Sequence, residues 1–173
     1  MACPGVSGTL ASLYQAYKDN NSQAEPDGGL MKAILMNSAE DVGNAGPDFK
    51  HGYGRINALR AVEAIQGHQH FTDSIIQGAT DTIALSVGAN VAELRVMVYW
   101  MDKEGSTNAD PALVNDINMV VTDPALISYD PWVLDHTPAN VDLNAVRAVD
   151  NLNNMEQVTL INPLSGIYTI DLN

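Results

Sequence analysis

The sequence is poor in positive charge, in cysteine and in long apolar runs. Eight Lys and Arg stand against 21 Asp and Glu, a formal net charge of −13. Nucleic-acid binding needs a basic footprint, so that class of partner is excluded. The single cysteine, Cys3, cannot support an internal disulfide framework. No apolar run approaches the roughly 20 residues of a membrane helix, and no membrane partner is expected. Residues 1–8 lack the basic start and long apolar core of a signal peptide. Internal repeats and low-complexity tracts are also missing.

What remains is an ordinary globular composition: 46% of the 173 residues are hydrophobic, and Gly and Pro are not in excess. That length holds one domain or two small ones. The acidic excess suits a secreted protein, calcium binding, or solubility alone, and solubility is the default because net charge speaks to it first.

The first half of the chain carries a helical period. Val6, Leu10, Leu13, Tyr14 and Tyr17 form one stripe, and Pro4 fits the first turn, where its missing N–H would be unpaired anyway. Ala2, Gly5 and Gly8 leave that turn bare enough for other backbone to approach, so the helix is expected to be buried along its length. Lys18 to Gly29 reads as a polar connection. A second helix carries Leu30, Ile34 and Leu35, with Met31 and Met36 beside them, and is expected to stop near Val42-Gly43-Asn44. Residues 45–54 are rich in turn formers. Asn57 is a plausible N-cap for a third helix bearing Leu59, Val62 and Ile65 and ending at Gly67.

Beyond residue 70 the period changes to two. Ile83, Leu85 and Val87 alternate with smaller or polar residues. So do Leu94, Val96, Val98 and Trp100. Leu113, Ile117, Met119 and Val121 share a face, and two further runs lie at Val158–Leu160 and Ile167–Leu172. No helical period separates these strands, which points to an antiparallel arrangement with the boundary between the halves near Gln66 to His70.

Several residues invite a chemical reading, each with a plainer alternative. Cys3 reads first as a small residue in a buried helix turn. Gly5-Val6-Ser7-Gly8-Thr9 nearly spells a nucleophile elbow, but the last glycine is absent and no strand precedes it, so Ser7 reads as a small packing residue. His68-x-His70 is half of a metal site at best, and a polar linker otherwise. Asn115, Asp116, Asn118 and Asp123 are oxygen donors of the kind calcium prefers, and Asp116, Asn118 and Asp123 are the candidate calcium ligands; ordinary turn and strand-edge bonding is the alternative. Asp102, Glu104 and Asp110 form a looser group in a long loop. Trp100 reads as core, and Trp132, after Asp130-Pro131, as the more exposed of the two tryptophans.

The opening residues resemble a known family. Met1-Ala2-Cys3-Pro4-Gly5-Val6-Ser7-Gly8 is similar to the stretch after the catalytic serine in subtilisin-like serine proteases, whose pattern is Gly-Thr-Ser-x-Ala-x-Pro-x-x-x-Gly; Ala2, Pro4 and Gly8 match. Residues 30–39 resemble the family's next helix. Gly52-Tyr53-Gly54-Arg55-Ile56-Asn57 and the residues up to Val62 resemble its final turn and helix. Residues 112–121 and 153–158 look like the β-sandwich appended to some secreted bacterial subtilases.

The resemblance implies a C-terminal portion of a secreted subtilisin-like endopeptidase. The fold expected is α+β as a fragment: residues 1–66 as the last helices of a catalytic α/β domain, residues 70–173 as a jelly-roll-like antiparallel β-sandwich. In the family's order the acid, the histidine and the serine all precede Met1, with the serine immediately before it. No catalytic residue is therefore assigned within these 173 residues, and His51, His68, His70 and His136 fall on the wrong side to be the family's base. The partners expected are the remainder of the catalytic domain and, through residues 1–66, a second copy of the chain. A stand-alone β-sandwich module binding a protein or glycan is the other reading.

Overall fold

Helix α1 (Ala2–Asn20) opens a computed structural model that describes residues 2–173. The chain divides into two units, the first ending at Asp73 and the second beginning at Ser74. The first is helical and the second is built of strands.

Three helices share one apolar core in the first unit. Leu13 of α1 is fully buried, and it meets Leu30, Met31 and Ile34 of α2 (Gly28–Asn37) and Ala61 and Ile65 of α3 (Ala58–Gln66). Leu10, Tyr14 and Tyr17 pack around them, as the helical stripe requires. The helix ends are set by side chains. Asp27 caps α2 by accepting the Gly29 and Leu30 N–H groups at 2.7 and 3.2 Å. Asn57 caps α3 by accepting the Arg60 N–H at 2.9 Å, and Gly67 closes it. Leu59 points away from this core and is 69% exposed.

Two expectations are corrected here. The second helix stops at Asn37, not near Gly43, because Glu40 is extended and pairs with Arg55: the Glu40 N–H donates to the Arg55 carbonyl at 2.7 Å, and the Arg55 N–H returns the bond at 2.8 Å. The first turn of α1 is exposed rather than buried, Cys3 and Ser7 included, since nothing in the first unit packs over it.

The second unit holds eight strands, all paired antiparallel: β1 (Asp81–Val87), β2 (Glu93–Tyr99), β3 (Met119–Thr122), β4 (Ser128–Tyr129), β5 (Trp132–Val133), β6 (Val146–Arg147), β7 (Met155–Ile161) and β8 (Gly166–Leu172). They form a four-stranded sheet in the order β1-β8-β3-β4, a pair β2-β7 and a pair β5-β6. The four-stranded sheet and the β2-β7 pair feed a single apolar cluster, with Val87, Met119, Val121, Tyr168 and Ile170 from the first and Val158 from the second. The whole chain is mixed α+β.

Strand β3 is shorter than the apolar alternation suggests. Leu113 and Ile117 lie outside it, because the preceding segment is held elsewhere: the Asp102 carboxylate accepts the Val114 and Asn115 N–H groups at 2.7 and 3.0 Å and the Asn115 side-chain amide at 2.7 Å. Those bonds hold its carboxyl below the usual range. Regular pairing begins only where the Asn118 N–H meets the Asn173 carbonyl at 2.9 Å.

Candidate functional site

Helix α1 carries the strongest local pattern of the sequence. Its inner stripe is committed to the core, while its first two turns are open. Between α1 and α2 lies an apolar groove of about 340 Å³, lined by Val6, Leu10 and Tyr14 on one side and Met31, Leu35 and Met36 on the other. After α2 comes a tightly bonded loop. The Asp48 carboxylate accepts the Asn44, Lys50 and His51 N–H groups at 3.1, 2.8 and 2.6 Å, and lies 3.3 Å from His51 Nδ1. The His51 N–H first, then those of Asn44 and Lys50, bring its carboxyl down to about 2 against the opposing effect of burial. Glu40 accepts from the Arg55 guanidinium, which lowers the Glu40 carboxyl. The turn Gly52-Tyr53-Gly54-Arg55 is thereby pinned to the chain leaving α2.

Residues 1–54, which span α1, α2 and this loop, match the model of the subtilase family. This segment is subtilisin-like. The match covers 54 of the 173 residues and leaves out α3 and every strand. Within the matched segment, Ser7 sits exposed on α1 and His51 is engaged with Asp48. No helix among the described residues is long and apolar enough to cross a membrane.

The remaining candidates fall in different places. His68 and His70 follow α3, with ring centroids 6.2 Å apart, and His70 lies 5.7 Å from Tyr17. Burial, then the charge of His68, pushes the His70 imidazole down. Among the described residues, no three His, Cys, Asp or Glu side chains are grouped to hold a metal ion.

The three candidate calcium ligands divide between two ends of β3. Asp123, only 5% exposed, follows the strand and organises the next turn: its carboxylate accepts the Ala125 and Ile127 N–H groups at 2.8 and 2.9 Å and the Tyr129 hydroxyl at 3.1 Å. Asp116 and Asn118 precede the strand. Desolvation and then the charge of Asp150 push the Asp116 carboxyl up. Asn118 Oδ1 is buried and has no hydrogen-bond partner. The two groups that the sequence reading passed over lie near this end: Asp150, 2% exposed, and Glu156, 1% exposed. The signal for Glu156 was present, since it shares a strand face with Val158 and Leu160.

Both tryptophans are engaged within the β unit. The Arg147 guanidinium stacks over Trp132, 3.7 Å from Cζ to the ring centroid, and donates to the Asp130 and Thr159 carbonyls. Trp132 Nε1–H donates to the Thr159 hydroxyl at 2.8 Å, and Trp100 Nε1–H to the Asn115 carbonyl at 2.9 Å. Trp100 and Trp132 are both half-buried, so the expected contrast between a core Trp100 and a more exposed Trp132 is not seen.

Proposed function

We propose that this chain is the C-terminal part of a secreted subtilisin-like serine endopeptidase. Residues 1–66 are the closing helices of its catalytic domain, and residues 70–173 are an accessory β-sandwich of jelly-roll type. The observation that carries this reading is the subtilase match over residues 1–54. In the intact enzyme the serine stands at the N-terminal end of α1, where the helix dipole faces the developing negative charge. Peptide hydrolysis needs that serine with a histidine, an orienting acid and an oxyanion hole. These 173 residues supply none of them in that role and are inactive alone.

Two further features agree with this reading. The exposed first turn of α1 and the apolar groove between α1 and α2 are surfaces of the kind that the rest of a catalytic domain covers. Without that domain, the same surfaces favour self-association through residues 1–66. Two of the three sheets share one apolar cluster, which agrees with a sandwich.

The test is reconstitution. The purified chain is assayed with a fluorogenic peptide and a serine-directed phosphonate, alone and after co-refolding with the protein encoded immediately upstream in the same reading frame. No turnover or labelling is expected alone, and both are expected after co-refolding. Turnover or labelling by the chain alone overturns the inactivity. An upstream sequence without Gly-Thr-Ser ahead of Met1 overturns the parentage.

A further inference from the structure

Strand β7 sends Glu156, Val158 and Leu160 to one face, opposite Val98, Val96 and Leu94 of β2. Val158 and Leu160 belong to the apolar cluster, so Glu156 enters the same interior. It is 1% exposed. One oxygen, Oε2, accepts the Met119 N–H at 2.6 Å, and Met119 opens β3 in the other sheet. The other oxygen, Oε1, has neither solvent nor a hydrogen-bond partner. Glu156 is therefore a tie between the two sheets in which one half of the carboxyl group is unsatisfied.

The charged groups that act on it most strongly have the wrong sign to offset an anion. Asp150 comes from the segment before β7, Asp116 from the segment before β3, and Asp130 from the turn between β4 and β5. A buried carboxylate with a bare oxygen and three acidic neighbours is strongly disfavoured as an anion. A proton removes the charge and makes Oε1 a donor.

We propose that Glu156 is a proton-operated clasp between the two sheets. Protonated, it ties β7 to the head of β3. When alkaline conditions draw the proton off to solvent base, the buried anion destabilises that tie and the β unit loosens. Burial, opposed by the Met119 N–H and reinforced by Asp150, Asp116 and Asp130, pushes the Glu156 carboxyl up to about 8. The folded unit then holds a proton that the unfolded chain has already released. Stability contributed by the clasp is full below the ordinary carboxylate range and is lost as pH rises through about 8.

The test uses the 173-residue chain and its Glu156→Gln variant. Trp100 and Trp132 both lie in the β unit, so tryptophan fluorescence reports its melting without interference from the helices. Gln keeps an acceptor for the Met119 N–H and cannot ionise. Between pH 6 and pH 10 the wild-type melting temperature is expected to fall by roughly 10 °C more than that of the variant. Parallel curves overturn the proposal. Carbon-13 NMR of the Glu156 carboxyl in the wild-type chain supplies a readout that does not depend on the variant folding. A midpoint near 8 supports the clasp, and a midpoint in the ordinary carboxylate range overturns it.

Discussion

Replacing Gly54 by alanine is expected to unfold most of the helical unit, and the structure lets the cost be worked out. Gly54 has φ +107°, a region that L side chains rarely adopt, and a Cβ added there collides with the Glu40 carbonyl oxygen. That oxygen cannot swing aside freely, because it accepts the Arg55 N–H at 2.8 Å while the Glu40 N–H donates to Arg55 at 2.7 Å. Backbone strain of this kind costs about 1–3 kcal/mol. Losing two backbone bonds adds about 1 kcal/mol each. The sum, about 3–5 kcal/mol, is a large share of a small unit's stability. Gly52 is the matched control: its φ is +61° and a Cβ there meets nothing within 4 Å, so Gly52→Ala carries strain without collision. Its cost is about 1–2 kcal/mol. All three helices belong to the first unit, so circular dichroism at 222 nm follows it. The reasoning predicts that G54A loses most of its helical signal at 25 °C while G52A retains it with a lower melting temperature. Equal melting of the two variants would refute the assignment of the cost to the Glu40–Arg55 collision.

Other outcomes follow from the same physical arguments. Leu13→Ala, at a fully buried site, is expected to cost about 3 kcal/mol by the same helical assay, whereas Leu59→Ala, at a site 69% exposed, is expected to stay within about 0.5 kcal/mol. Asp48 has its folded carboxyl brought down to about 2, so its contribution is present above the ordinary carboxylate range and is lost as pH falls through about 2. Acid unfolding of the helical unit should therefore separate wild type from Asp48→Asn at pH 5 and bring them together near pH 2. A separation that persists at pH 2 would show that the two differ for some reason other than the charge.

The α1 stripe, the Asn57 cap, the Gly67 stop and the change of period after residue 70 are legible in the chain alone. Each rests on neighbours within one or two turns, where helical spacing or alternation is a direct record of which side is buried. The subtilase likeness was legible because Ala2, Pro4 and Gly8 fall within one short stretch of chain. Glu156 was half legible. Its place on the Val158–Leu160 face follows from alternation alone, but its oxygen count does not, because Met119 at the head of β3 and Asp116 just before it come from about 40 residues away in the chain. The end of α2 was misread because Glu40 is claimed by Arg55, a partner that helical periodicity does not contain. Leu113 and Ile117 kept an alternating pattern yet lie outside β3, since the Asp102 carboxylate holds the residues between them. Which carboxylates meet donors and which meet one another depends on long-range folding. Asp48, Asp102 and Asp123 are surrounded by backbone N–H groups, while Glu156 has one such bond and three acidic neighbours. Spacing along a chain fixes which face a side chain takes, but what it meets there depends on segments folded in from elsewhere.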